Sequence, residues 1–132
     1  MYIVRRYRTV ALGLVLTIFL ALALCGCEAA SKTPPPDEML VVLEHVRTGY
    51  QTEDMDLLTA DFDAIMFSED YTLDTYLATV WTLNEQLGEW RSEVYLGVED
   101  DVYTWRVTFS KRKAKLVLVM DADWKVTGLW FR

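Results

Sequence analysis

The side chains that commonly do chemistry are scarce in these 132 residues. Cys25 and Cys27 are the only cysteines, and His45 is the only histidine. Beyond Cys27 the chain therefore has no disulfide, no thiolate metal site and no cysteine nucleophile. A Ser-His-Asp arrangement would need Ser68, Ser92 or Ser110 beside His45, and none of them stands in a nucleophile-elbow sequence. Next to Val46 and three residues after Val42, His45 suits a structural place at the edge of a helical stripe. Between Asp37 and Asp74, eleven acids face the single base Arg47. Glu53-Asp54-Met-Asp56 and Asp61-Phe-Asp63 carry the residue types of a calcium loop, which gathers several oxygens and commonly uses a glycine for its sharp turn. Gln51 to Asp74 has no glycine. These acids are expected on solvent faces and at helix N-termini, with no metal bound. Proton transfer beside a carbonyl would want a carboxylate buried among apolar side chains. Only Asp61 or Asp63 is placed to reach inward, because the inner face read from Ser92 to Met120 supplies no acid. No catalytic set and no cofactor are expected.

Tyr76, Trp81, Tyr103 and Trp105 lie on the apolar sides of their segments and have two readings. They are core, or they line a small-ligand cavity in which Tyr and Trp offer polar handles. Lys111-Arg112-Lys113-Ala-Lys115 is the one basic run. It is a solvated turn whose lysines discourage edge pairing, or a contact for anionic lipid headgroups or wall polymer.

The elements that must position these residues divide at Gly88. Asp37 to Thr48 carries Met39, Val42, Leu43, Val46 and Tyr50 on one helical face, with Gly49 as the expected stop. Gln51 to Asp70 suggests one or two short helices. Leu73 to Leu87 reads as a longer one, capped by Thr72 or Asp70, with Leu73, Tyr76, Leu77, Val80, Trp81, Asn84 and Leu87 in its stripe. After Gly88 the pattern alternates. A turn at Asp100-Asp101 sets Val98, Leu96 and Val94 opposite Tyr103, Trp105 and Val107. A turn at Lys111-Arg112 sets Phe109, Val107, Trp105 and Tyr103 opposite Ala114, Leu116, Leu118 and Met120, all on one face. The last strand, Lys125 to Phe131, puts Leu129 and Phe131 inward, or Val126 and Trp130 if its turn holds a bulge. The expected fold is α+β: N-terminal helices packed on one face of a four-stranded antiparallel meander, with Trp81, Trp105, Val107 and Leu118 between the layers.

On the outer face, Val117 and Val119 lie opposite Trp130 and Gly128, with Tyr95 and Arg106 nearby. Tyr95, Val117, Val119 and Trp130 are thus a candidate interface, for a second copy or an envelope protein. The alternative is an outer face merely covered by long side chains.

Trp81-Thr-Leu83, Leu87-Gly88-Glu-Trp90 and Lys125-Val126-Thr-Gly128-Leu129, set in helices followed by a curved antiparallel sheet, resemble an uncharacterised bacterial family. That family falls within the nuclear-transport-factor-2-like, or cystatin-like, superfamily. The resemblance spans Glu38 to Arg132 and implies that fold, with no established activity to carry over. Members occur as small lipoproteins and as domains attached to extracytoplasmic hydrolases. Other enzymes of the superfamily use pocket acids, so an isomerase or cyclase with a pocket carboxylate is the alternative to a non-catalytic binding module. Trp124 departs from the family, whose members often carry glycine there.

The N-terminus supplies location. Arg5, Arg6 and Arg8 precede the uncharged run Val10 to Leu24, the layout of a secretory signal peptide. Leu24-Cys25-Gly26-Cys27 resembles the lipobox of bacterial lipoproteins, which implies cleavage after Gly26 and a lipid on Cys27. Residues 1–26 are then leader, 27–36 a lipidated cysteine and proline-rich spacer, and 37–132 the domain, lipid-anchored on the extracytoplasmic side of a cell membrane. The whole chain has thirteen Lys and Arg and twenty Asp and Glu, and removal of the leader takes only bases, leaving a body near −10. Such a body is a poor nucleic-acid binder.

Overall fold

The computed structural model describes residues 29–132, so the leader and Cys27 lie outside the described residues. Helix α1 (Asp37–Thr52) leads to the single turn α2 (Met55–Leu58), a 3-10 turn (Ala64–Met66) and helix α3 (Leu73–Leu87). Strands β1 (Trp90–Glu99), β2 (Val102–Phe109), β3 (Lys113–Met120) and β4 (Val126–Phe131) form an antiparallel sheet in that order. This is the expected α+β meander. No helix among the described residues is long and apolar enough to cross a membrane.

α1 buries Met39, Val42, Leu43, Val46 and Tyr50 against Trp105, Val107, Leu116 and Leu118 of the sheet. It does not stop at Gly49. The helix continues because Tyr50 must enter the core, and Gly49 lets Leu58 of α2 approach its backbone. Glu53 ends the helix instead, in a left-handed conformation at φ 58°. The acids that follow are cap residues and pair members. Asp54 accepts from the Leu57 amide at 3.0 Å, and Asp63 accepts from the Ile65 amide at 2.9 Å. α3 has the expected bounds, with Thr72 as its cap and Gly88 beyond it at φ 82°. Only its Tyr76–Val80–Leu83–Leu87 side turns inward, however. Trp81, expected in the core, is 52% exposed, and its indole N–H donates to Glu53 Oε2 at 2.8 Å.

The sheet registers correct three expectations. Asp100 and Asp101 form the expected two-residue turn, both at positive φ (48° and 61°), as the twist of a tight hairpin requires. A bulge between Tyr95 and Gly97 then reverses the faces of Ser92 to Tyr95, and a second between Trp90 and Ser92 returns Trp90 to the core. Tyr95 lies opposite Trp105 and packs on the core; Glu93 lies opposite Val107, while Val94 pairs with Arg106 on the outer side. The β2–β3 turn falls at Ser110-Lys111, so Trp105 faces Leu116 and Tyr103 faces Leu118, two residues from the expected partners. Because the pleat repeats every two residues, that slip changed partners and left the faces intact. Opposite β3, Trp130 and Gly128 pair with Val117 and Val119 as expected. A bulge between Val126 and Gly128 adds Val126 to the inner face without turning Trp130 inward.

The turn before β4 is tied by Asp121, whose Oδ1 accepts from Asp123 N (2.9 Å) and Lys125 N (2.8 Å). Trp124 sits there at φ 60°, a conformation that favours glycine. Its ring packs 6.1 Å from that of Tyr103, a contact that helps offset the strain. Both sheet edges are covered. Val126 exchanges hydrogen bonds with Asp61 and Asp63, and Ser31 N donates to Tyr95 O at 2.8 Å on the β1 edge. The segment read as a spacer is therefore fastened to the domain at Ser31.

Candidate functional site

A cavity of about 240 Å³ lies between α3 and the rest of the helical layer, closed on one side by Leu129, Trp130 and Phe131 of β4. Val46 and Tyr50 of α1, Leu58 of α2, and Tyr76, Val80 and Leu83 of α3 supply most of its wall. The helical spacing of Tyr76, Val80 and Leu83 brings them to one side of α3. Phe62 and Tyr76 meet edge-to-face at 5.4 Å, and Phe67 and Tyr71 extend this aromatic wall toward the surface. No carboxylate lines the cavity.

Three hydroxyls of the wall are already engaged. Tyr50 OH donates to Gly88 O at 3.0 Å, and burial pushes its pKa up to about 12. Tyr76 OH donates to Met66 O; burial raises its pKa, and the neighbouring Tyr71 adds to the effect. Thr79 Oγ1 donates to Thr75 O at 2.9 Å. What such a site recognises best is apolar shape.

Of the four aromatics read as a candidate pocket, the structure places only Tyr76 in this cavity. Trp81 lies in solvent. Tyr103 and Trp105 stack on each other, with centroids 6.3 Å apart and planes 22° apart, in a packed cluster with Tyr95 and Trp124. They are core because α1 and the sheet close over them; Trp105 is 1% exposed. Burial raises the Tyr103 pKa, helped by the nearby Asp101 and Glu38.

The acids take other places. Asp61 Oδ2 lies 2.6 Å from His45 Nδ1, a half-buried pair that ties α1 to the chain bridging β4. Among the described residues no serine hydroxyl bonds to that histidine, and no three His, Cys, Asp or Glu side chains are grouped to hold a metal. The inner face does carry one carboxylate, contrary to expectation. Glu93, turned inward by the β1 bulge, accepts from Arg47 at 3.0 Å and from the Trp90 indole at 2.7 Å. It is held at the sheet edge and does not line the cavity. The glycine at 97 was the one sequence signal of the bulge that turned it.

The candidate interface is also rearranged. Tyr95 leaves it through the bulge. Val117 is buried although it faces outward, and Val119 is half-buried. Trp130 remains 48% exposed, with its ring lying over Gly128. On this outer side a wide cleft of about 660 Å³, open to solvent, runs past Leu96, Val102, Thr104 and Lys115 to Ala29. No protein-family model matches this chain, and neither does any curated protein.

Proposed function

We propose that this chain is a lipid-anchored, extracytoplasmic binding module that holds a small apolar molecule in the cavity beneath α3. The observation that carries the reading is the cavity's chemistry: an aromatic and aliphatic wall in which the Tyr50, Tyr76 and Thr79 hydroxyls already donate to backbone carbonyls, with no carboxylate in it. Its volume exceeds the roughly 150 Å³ that holds benzene and falls short of the roughly 300–1,000 Å³ of drug-sized sites. A one- or two-ring compound or a short aliphatic chain fits that range. The order of helices and sheet supports a place in the nuclear-transport-factor-2-like, cystatin-like group. The Leu24–Cys27 segment supports the anchor and the location.

Naphthalene titrated into the protein, followed by calorimetry, tests the cavity. We expect one-to-one binding in the wild type and none in Val80→Trp, which fills the space; equal binding by both would refute the reading. Labelling with a fatty-acid analogue tests the anchor. The label should vanish in Cys27→Ala and persist in Cys25→Ser, and equal labelling of the two would refute it.

A further inference from the structure

The outer face of the sheet separates charge in a way the composition conceals. Along β2, Thr104, Arg106 and Thr108 alternate with buried Tyr103, Trp105 and Val107 and so face outward. Their partners on the same side are Val117, Lys115 and Lys113 of β3, and beyond these lie Trp130 and Arg132. One end of the face thus carries Arg106, Lys113, Lys115 and Arg132, continued by Lys111 and Arg112 in the adjoining turn. Only ten bases follow Cys27 against twenty acids, so these six are most of the positive charge the body has. Glu99 is the only acid at an outward register position, and it lies at the other end beside the Asp100-Asp101 turn. Trp130 and half-buried Val119 and Val102 lie between the two ends.

The first described residues lie at this same face. Ser31 is bonded to the β1 edge, and Ala29 lines the outer cleft with Glu99, Asp100, Thr104 and Lys115. Cys27 precedes Ala29 by two residues, which span at most about 7 Å. From Thr104 to the basic end at Thr108 is roughly 13 Å along the strand. A lipid on Cys27 would therefore start beside the sheet's outer face, near the cleft that Lys115 lines.

From these positions we infer that the outer face of the sheet lies against an anionic lipid bilayer, with Trp130 at the headgroup level and the Lys113–Arg132 end tipped toward the phosphates. This rests on the proposed anchor at Cys27. Basic side chains are drawn to an anionic surface within a Debye length, and a tryptophan ring with its N–H suits the water–hydrocarbon boundary. The acid-rich helices, on the other side of the sheet, face away from the lipid. A second copy packed face to face with like ends together would set these bases against their own kind, which costs energy. The helical layer, with the cavity mouth near Tyr71, is left open to the aqueous side.

The test uses the full chain, recovered from the membranes of an expressing bacterium and reconstituted in vesicles carrying brominated lipid. In vesicles containing phosphatidylglycerol, bromine should quench part of the tryptophan emission, and Trp130→Phe should remove most of that quenched part. Lys113 and Arg132 are both exposed, so the double variant Lys113→Glu/Arg132→Glu keeps the fold, checked by near-ultraviolet circular dichroism of buried Trp105. It should weaken the quenching about tenfold while the protein stays with the vesicles. Equal quenching in wholly zwitterionic vesicles would overturn the inference. So would unquenched Trp130 in a chain that remains membrane-bound, or face-to-face crosslinks between copies, or capture by a wall polymer in place of vesicles. Failure of the anchor reads differently. Cys27→Ser would then fractionate as the wild type does, while salt-sensitive quenching by anionic vesicles would still report the face.

Discussion

Replacing Gly49 by alanine sets two effects against each other, and the structure decides the sign. Gly49 is inside α1, where alanine is ordinarily favoured over glycine by about 1 kcal/mol. A Cβ on Gly49, however, would lie 2.5 Å from the Cβ and the amide nitrogen of Leu58 and 2.6 Å from its Cα. Two of those atoms are backbone and cannot rotate away. Overpacking costs about 1–3 kcal/mol, and the upper end applies when backbone must shift. The net expectation is a loss of about 2 kcal/mol, or a fall in Tm of roughly 8–16 °C for a domain this size. Urea melts followed by tryptophan fluorescence, with thermal melts by circular dichroism, measure it. Gly97→Ala is the comparison. That glycine has φ 139° and nothing within 4 Å of the added Cβ, so only backbone strain remains. Leu58 also lines the cavity, so Gly49→Ala should weaken naphthalene binding as well. A Gly49→Ala protein as stable as the wild type would refute the close contact of α1 with α2, and with it that wall of the cavity.

Trp105→Ala empties a site only 1% exposed and should cost about 3–5 kcal/mol, whereas Thr108→Ala on the outer face should cost under about 1 kcal/mol; a larger loss for Thr108 in denaturant melts would mean the faces of β2 are inverted. Alkaline stability follows from Tyr50. An unfolded tyrosine loses its proton near pH 10, while burial holds that of Tyr50 to about 12. Between those values the folded chain binds more protons than the unfolded one, so stability is whole below pH 10 and falls as the pH climbs toward 12. Burial of Tyr76, Tyr95 and Tyr103 acts in the same direction, and Tyr50→Phe should flatten part of the slope. Wild-type stability that holds level to about pH 11 would refute this.

What the sequence determined by itself was local. The Tyr76–Val80–Leu87 spacing and the Thr72 and Gly88 signals marked α3, and the two acids at positions 100 and 101 marked a tight hairpin, because caps and turns depend on a few adjacent residues. The alternation in β2 and β3 assigned their faces even though the expected partners were two residues out, since a two-residue slip preserves the pleat. Tertiary structure decided everything that depends on where one element stops another. The bulge before Gly97 reversed the middle of β1, which took Tyr95 out of the candidate interface and turned Glu93 inward toward Arg47. The packing of α3 on its Val80 and Leu87 side left Trp81 in solvent, and a cavity remains beside Val80 and Leu83. Gly97 is the only local mark of the first outcome, and the second has none. A bulge is chosen by the fit of the whole strand pair, and a cavity is the volume that packed helices and sheet fail to fill.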